Sequence, residues 1–394
     1  MDTLIINRVV PAIRMLTSRD MMMTMRFDDR KEILSCEDEE ELSKLSFIKK
    51  GTGILIVDET IDPEEIIDDL KVKLSAWFDS RNIHPDYIFL KGIGLIAIAE
   101  KASSLDVLFG APQELVATVS GRVQNKIAIV TGGAQGFGGG IAELLYAQGA
   151  NVVVADLNEE VGTKMVATLN SKKQTNQAFF VKANVVSPES VEEMISATVR
   201  QFGGLDVIIS NAGILRAGGL DEMTPEIFSV MTDVNYKGYF LCAKYASAIM
   251  KVQSQFKDDY FTDIIQINSK SGLKGSNRNF AYAGGKFGGI GLTQSFAMEL
   301  MPFHIKVNSI CPGNFFEGPL WSDPEKGLFV QYLKAGKVPG AKDIEDVKAF
   351  YEAQVPAGRG CRVVDVVRAI FYVMEQEYET GQAVPVTGGQ NMLN

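Results

Sequence analysis

Histidine is almost missing from this chain: among 394 residues only His84 and His304 occur. A His-rich metal centre is therefore excluded, and any His-dependent mechanism must use one of these two. Cysteine is sparse as well. Cys36, Cys242, Cys311 and Cys361 lie far apart with no C-x-x-C pair, which argues against a disulfide framework or a four-thiolate zinc site and fits a reducing compartment. No run approaches the ~18 consecutive apolar residues of a membrane span. The first apolar stretch is broken by Arg8 and Arg14 and lacks the ordered regions of a secretory signal, so a cytoplasmic location is expected. Positive charge is in deficit, with a net charge of −10. A surface that binds nucleic acid needs the opposite balance, so neither nucleic acid nor membrane is expected as a partner. The deficit is uneven: residues 1–120 hold 14 Lys+Arg against 22 Asp+Glu, and residues 121–394 hold 25 against 27.

What is present is ordinary globular composition, 46% hydrophobic and 22% charged, in a chain long enough for two or three domains. A boundary is expected near residues 118–125. Beyond it, strand-length apolar runs alternate with helical patterns. The runs are Lys126–Thr131, Asn151–Asp156, Gln177–Lys182, Leu205–Ser210, Thr262–Ser269, His304–Ile310 and Gln382–Val386. Helices are expected over Gly138–Gly149, Glu159–Asn170, Pro188–Phe202, Pro225–Met250 and Phe280–Leu300. Runs that are continuously apolar suit a parallel sheet covered on both faces, and the alternation predicts a doubly wound, seven-stranded α/β (Rossmann) fold.

Thr131-Gly132-Gly133-Ala134-Gln135-Gly136-Phe137-Gly138 falls where the first of these strands meets its helix. Glycines there let backbone N–H groups approach a pyrophosphate at the positive helix end, although a tight turn with no ligand uses glycine too. Asp156 ends the second strand, 18 residues after Gly138. A carboxylate there accepts hydrogen bonds from both ribose hydroxyls and repels a 2′-phosphate. Ala134, Gln135 and Leu157 offer no compensating cation, so NAD is expected over NADP. Tyr282 and Lys286 stand four residues apart on a predicted helix and share a face. A phenol with a pKa of ~10 is a poor base at neutral pH. A neighbouring ammonium is expected to lower that value and open general acid–base work.

Residues 124–394 resemble the short-chain dehydrogenase/reductases over nearly that whole stretch. The matching pieces are TGGAQGFG (131–138), SNAG (210–213), VNYKG (234–238), INSKSG (267–272), YAGGK (282–286) and VNSICPG (307–313). The resemblance implies an NAD-dependent oxidoreductase acting on an alcohol, with no metal. Tyr282 would be its acid–base residue, and Lys286 the activator of that residue and a ribose ligand. Ser269, with Ser271 as the alternative, would bond the reacting oxygen. Asn235 would hold a water between Lys286 and solvent. Gly132, Gln135, Gly136, Phe137, Gly138 and Asp156 would hold the nucleotide. Asn211, Ala212 and Gly213 would border its adenosine and ribose, and Pro312 and Gly313 its nicotinamide. Asn184-Val185 stands where the family usually has Asp-Val against the adenine, and Thr387 where it usually has Asp. The resemblance also implies a homo-oligomer, tetramer or dimer, through the helices that carry Asn235 and Tyr282.

IIQINSKSG (264–272), KFGGIGLTQS (286–295), VPAGRGC (355–361) and TGQAVPVTGGQNM (380–392) are similar to the subgroup that oxidises a sugar-alcohol phosphate, such as sorbitol 6-phosphate, to the ketose phosphate. A phosphate needs cationic donors. Lys270, Lys274, Arg278 and Arg359, together with Asn314, are the candidates for substrate contact, the plainer reading of each cation being a solvated surface charge. An unphosphorylated polyol, hydroxysteroid or hydroxy acid is the alternative substrate, and a non-catalytic NAD-binding scaffold the alternative class. The aromatic-rich residues 314–354 are expected either to cover the substrate or to pack into a local core or subunit interface.

In residues 1–120 the pattern predicts a helix over Asp28–Leu45 whose acidic run Glu37–Glu41 is a solvated face. It also predicts a strand at Gly53–Asp58, a helix Pro63–Phe78 capped by Asp62, a strand pair within Tyr87–Ala99 turning at Lys91-Gly92, and a last helix Ser104–Thr118. Met21–Met25 reads as core or loop filler. Residues 84–106 resemble the stretch joining a class II aldolase domain to a dehydrogenase domain in longer proteins. Such aldolases bind a divalent metal through several His, and His84 stands alone here. Residues 1–120 are thus expected to be a non-catalytic accessory α+β domain ahead of a dehydrogenase domain at 121–394.

Overall fold

A computed structural model of the chain describes residues 3–392 apart from 59, 335 and 337. Two sheets organise it. The first, of four strands, is built from β1 (Thr24–Asp28), β2 (Ile54–Val57), β3 (Tyr87–Leu90) and β4 (Gly94–Ala99) in the order β1-β4-β3-β2. The second has seven strands: β5 (Ile127–Thr131), β6 (Asn151–Asp156), β7 (Ala178–Lys182), β8 (Val207–Ser210), β9 (Thr262–Ile267), β10 (Ile305–Pro312) and β11 (Ala383–Val386). Their order is β11-β10-β9-β8-β5-β6-β7, and every pairing is parallel. This is the expected doubly wound fold, with a smaller mixed sheet ahead of it. β5, β9 and β10 are buried at every position, which is why their apolar runs do not alternate. The strand order, not the strand direction, reverses between β5 and β8, and this opens a crevice at their carboxyl ends.

Several expected boundaries move for identifiable reasons. The single helix expected over Pro225–Met250 is two α-helices, Pro225–Thr232 and Gly238–Ser254, joined by a π-helical turn at Asp233–Lys237. Such turns insert an extra residue and recur at functional sites; here the turn carries Asn235. The expected helix Asp28–Leu45 is two short ones, Lys31–Leu34 and Glu39–Lys44, the second started by the Asp38 side chain. The expected helix Ser104–Thr118 stops at Leu108, and Gly110 follows at φ 84°, a conformation that ends helices. Among the described residues, 314–354 hold three helices, and the aromatics Phe316, Trp321, Phe329, Tyr332 and Tyr351 of this stretch make a local core.

Within residues 1–120, two elements carry no sequence expectation, the helix Thr3–Thr17 and strand β1. Most of the helix is buried, but Pro11 inside it and the buried Arg14 interrupt the apolar stretch, so the sequence does not announce a helix there. It packs on Pro188–Phe202, Gly238–Ser254 and the helix Pro63–Arg81. One apolar core therefore runs from the small sheet, through Ile88, Leu90, Ile96 and Ile98, past Val9 and Ile13 to Phe202, Leu205 and Met250. The other face of β3 and β4, with Tyr87, Phe89, Leu95 and Ala97, builds a separate cluster with Ile33, Leu42 and Leu105, as period-2 strands require. Among the described residues no helix is long and apolar enough to cross a membrane.

Candidate active site

The crevice begins at the loop between β5 and the helix Gly136–Ala147. Gly132 and Gly136 both sit at φ 61°, a left-handed conformation that favours glycine. A Cβ on Gly138 would lie 2.0 Å from the Gly132 carbonyl oxygen, so the helix can start this close to the loop only without a side chain. The loop is tied across the sheet. Thr131 Oγ1 accepts the N–H groups of Asn211 (3.0 Å) and Ala212 (3.1 Å), and Asn211 Nδ2 donates to the Thr131 carbonyl at 2.9 Å. Asp156 closes the other side: one carboxylate oxygen accepts from Ala134 N–H at 3.1 Å and the other from Asn158 N–H at 3.0 Å. Gln135 is exposed at the helix start. The Phe137 ring stacks on Phe315 with centroids 4.2 Å apart, bringing the segment after β10 against the glycine loop. At the end of β7, Asn184 donates its N–H to Ser190 Oγ and turns its Oδ1 to Val186 N–H, while Val185 is buried beside Gly238. This cradle fits a dinucleotide: open backbone N–H groups at a helix start, no side chain in the way, and a carboxylate at the ribose end.

Deeper in, the structure brings Asn235, Ser269, Tyr282 and Lys286 together. Asn235 is clasped by the backbone of Ile214, donating to its carbonyl at 2.9 Å and accepting its N–H at 3.1 Å. A Cβ on Gly213 would lie 2.9 Å from Asn235 Oδ1 and 3.8 Å from Lys286 Nζ, so both polar groups face the same gap. Ser269 caps the short turn Lys270–Gly272, and its Oγ accepts Ser271 N–H at 3.1 Å. Lys286 Nζ donates to the Ile267 carbonyl at 2.8 Å and lies 5.6 Å from the centre of the Tyr282 ring. Burial brings the Lys286 ammonium down to about 8.

The electrostatics correct one expectation. Tyr282 lies above the ordinary phenol value, because burial raises it more than the Ser269 hydroxyl lowers it. Lys286 is anchored on the Ile267 carbonyl and has been pulled down itself, so its proximity does not reverse that balance.

Substrate candidates separate sharply. Arg278 is ion-paired with Glu222, and Arg359 holds Asp365 in a two-pronged pair at 2.6 and 3.0 Å. Each guanidinium has its charge offset by that carboxylate while keeping N–H donors outside the pair. Lys270 is half-buried and Lys274 exposed, and neither has a carboxylate partner among the described residues. Asn314 contributes its backbone carbonyl to Cys361 N–H at 2.8 Å. Beyond Pro312, Gly313 N–H donates to the Val386 carbonyl and ties this end of β10 to β11. The Thr387 hydroxyl closes the C-terminal loop by exchanging hydrogen bonds with the Asn391 backbone (3.1 and 3.3 Å), and Asn391 Nδ2 reaches the Lys270 carbonyl at 3.0 Å. The hydroxyl at 387 thus pins the tail beside the turn that carries Ser269, a role invisible in the VTGG motif alone.

A parallel seven-stranded sheet with this crevice defines an α/β oxidoreductase that handles a dinucleotide. The family model for short chain dehydrogenases matches residues 126–321. Sorbitol-6-phosphate 2-dehydrogenase of Escherichia coli (strain K12) is 34% identical over 272 residues, covering 68% of this chain and 100% of that protein. Trans-4-hydroxycyclohexanecarboxylate dehydrogenase of Sinomonas cyclohexanicum is 31% identical over 282 residues, 70% of this chain and 96% of that protein. The crystal structure of sorbitol-6-phosphate 2-dehydrogenase from Erwinia amylovora superposes with a TM-score of 0.62 at 35% identity, covering 68% of this chain and all of that one. The chain belongs to the short-chain dehydrogenase family, oxidoreductases acting on CH–OH groups.

Proposed function

We propose that the protein is an NAD-dependent dehydrogenase that interconverts a sugar-alcohol phosphate and its ketose phosphate. NAD, bound in the glycine cradle, supplies the hydride acceptor. Gly132, Gln135, Gly136, Phe137 and Gly138 hold its pyrophosphate region, Asp156 its adenosine ribose, Asn184 and Val185 its adenine, and Pro312 and Gly313 its nicotinamide end. Asn211, Ala212 and Gly213 border its adenosine and ribose. Tyr282 takes the proton from the substrate hydroxyl during oxidation and returns it during reduction. Ser269 holds the same oxygen in place, and Lys286 holds the nicotinamide ribose and supplies positive charge near the phenol. Asn235 steadies the polar gap beside Lys286 through which that proton exchanges with solvent. The observation that carries this reading is the convergence of Asn235, Ser269, Tyr282 and Lys286 beside a carboxylate-ended nucleotide cradle.

The phosphate is assigned to Lys270 and Lys274, cations near the proposed catalytic turn without carboxylate partners among the described residues, and the similarity of 68% of this chain to the whole of sorbitol-6-phosphate 2-dehydrogenase favours it. A second reading, an unphosphorylated hydroxy compound, is favoured by the engagement of Arg278 and Arg359 with carboxylates. One assay separates them: NADH formation with sorbitol 6-phosphate and with sorbitol. The first reading expects kcat/KM to favour the phosphate by about 100-fold or more, the scale of one or two charge-assisted hydrogen bonds. Lys270→Met is expected to cut kcat/KM for the phosphate by about tenfold and leave sorbitol unaffected; equal loss on both substrates sinks the assignment.

A homo-oligomer is part of the proposal. The helices Pro225–Thr232, Gly238–Ser254 and Phe280–Leu300 expose Phe228, Val230, Phe240, Phe287 and Met298, an apolar set that a second copy would cover. Residues 1–120 are proposed as a non-catalytic accessory part.

A further inference from the structure

Between Ser269 and Lys286 lies a side chain to which the proposed chemistry assigns nothing. Asn268 follows β9, and only 4% of it is exposed. Its Oδ1 accepts the N–H of Ser269 at 2.8 Å, and its Nδ2 donates to the carbonyl of Lys286 at 2.9 Å. A backbone N–H can only donate and a backbone carbonyl can only accept, so these two partners alone fix which way the amide points. The Nδ2 donates a second time, to Gln266 Oε1 at 2.8 Å, and that oxygen also accepts from Ser309 Oγ at 3.0 Å. Ser309 Oγ lies 2.7 Å from Thr293 Oγ1, on the same helix as Lys286. Two glycines make room for this seam. A Cβ on Gly272 would come within 2.2 Å of Asn268 Oδ1, and one on Gly289 within 2.4 Å of Gln266 Nε2.

We infer that Asn268 is a positioning residue that couples the turn carrying Ser269 to the helix carrying Tyr282 and Lys286, so that the serine hydroxyl and the phenol meet one substrate oxygen. The inference rests on the proposed roles of Ser269, Tyr282 and Lys286. Ser269 and Lys286 belong to segments 17 residues apart in sequence, and the buried amide bonds both backbones at once. Without it, either segment can relax by a fraction of an ångström, and displacements of that order cost catalysis far more than they cost binding.

The test compares wild type, Tyr282→Phe, Asn268→Asp and Asn268→Ser on whichever of sorbitol 6-phosphate and sorbitol wild type turns over faster, with NADH binding followed by fluorescence. Asn268→Asp keeps the acceptor for Ser269 N–H but sets an oxygen against the Lys286 carbonyl and Gln266 Oε1. Asn268→Ser is smaller and supports one bond at a time. Both are expected to bind NADH within about threefold of wild type and to lose about 10–100-fold in kcat. KM for NAD is expected to hold while the pH limb of kcat/KM shifts, because the environment of the phenol changes. Serine is expected to retain more activity than aspartate. If both variants keep wild-type kcat and pH profile while Tyr282→Phe is inactive, the inference is overturned; loss of NADH binding in both makes the role merely structural and overturns it too. Equal turnover by wild type and Tyr282→Phe defeats instead the reading of the site on which the inference stands.

Discussion

Tyr282→Phe is expected to lower kcat by about 10²–10⁴-fold, the range of a general acid–base group removed from its transition state, with NADH affinity and thermal unfolding unchanged. The substitution deletes one oxygen, while the ring keeps its place on the helix Phe280–Leu300. Residual kcat within tenfold of wild type would remove Tyr282 from the mechanism. The pH dependence follows from the direction of the shifts. Burial raises the phenol above its ordinary value, so near neutrality it carries its proton and is poised to donate it, which is the role reduction of a ketone needs. Oxidation needs the phenolate, so kcat/KM for the alcohol is expected to rise with pH and that for the ketone to fall. Lys286, lowered to about 8, is charged below that pH and neutral above it. Its support for a phenolate is therefore present below about 8 and fades above it, bending the oxidation profile there. In Tyr282→Phe the residual rate is expected to lose this dependence.

The parts of the site legible in sequence are those whose chemistry lies in short contiguous stretches. The glycine loop, the strand-ending Asp156 and the Tyr282–Lys286 spacing each depend on neighbours within a few positions, so local order on β5, β6 and one helix places them. Asn235 was readable as a residue but not as part of a π-helical turn, because an inserted residue leaves no period of its own. Asn268 gives no signal beyond standing next to Ser269, since its partners include a carbonyl 18 residues on. Arg278 and Arg359 look equally available in sequence. Their engagement depends on Glu222, 56 residues away, and on Asp365, brought back at the start of the helix Val363–Glu375. The direction of the Tyr282 shift escapes the sequence for a related reason: spacing shows that a lysine is near, whereas burial and the Ile267 carbonyl, both tertiary facts, decide what that lysine does. The aromatics of residues 314–354 could have faced substrate, interface or one another, and the fold selects a local core.

Arg14 is the residue whose sequence reading differs most from its place in the structure. In sequence it merely interrupts an apolar stretch. In the fold it is wholly buried and meets the equally buried Asp206 through two hydrogen bonds, at 2.8 and 2.7 Å, while its Nε donates to the Met23 carbonyl at 2.8 Å. Asp206 also accepts Ile127 N–H at 2.8 Å and stands immediately before β8, whose far end carries Ser210 at the nucleotide crevice. Arg14→Met is expected to cost about 3–5 kcal/mol, because it strands a buried carboxylate rather than because the pair itself is worth that much. The unfolding midpoint should fall by on the order of 4–6 °C. Burial alone would raise Asp206, but the Arg14 charge and hydrogen bonds, aided by Lys126, hold it below its ordinary value. This contribution is thus complete above the unfolded carboxylate range and lost as pH falls through the folded value, so the gap between wild type and Arg14→Met should narrow on acidification. Adding Asp206→Asn to Arg14→Met removes the stranded charge while keeping an acceptor for Ile127 N–H, and is expected to recover most of the loss in a double-mutant cycle. If the double variant is no more stable than Arg14→Met, the cost arises from lost packing of the arginine stem rather than from a stranded charge.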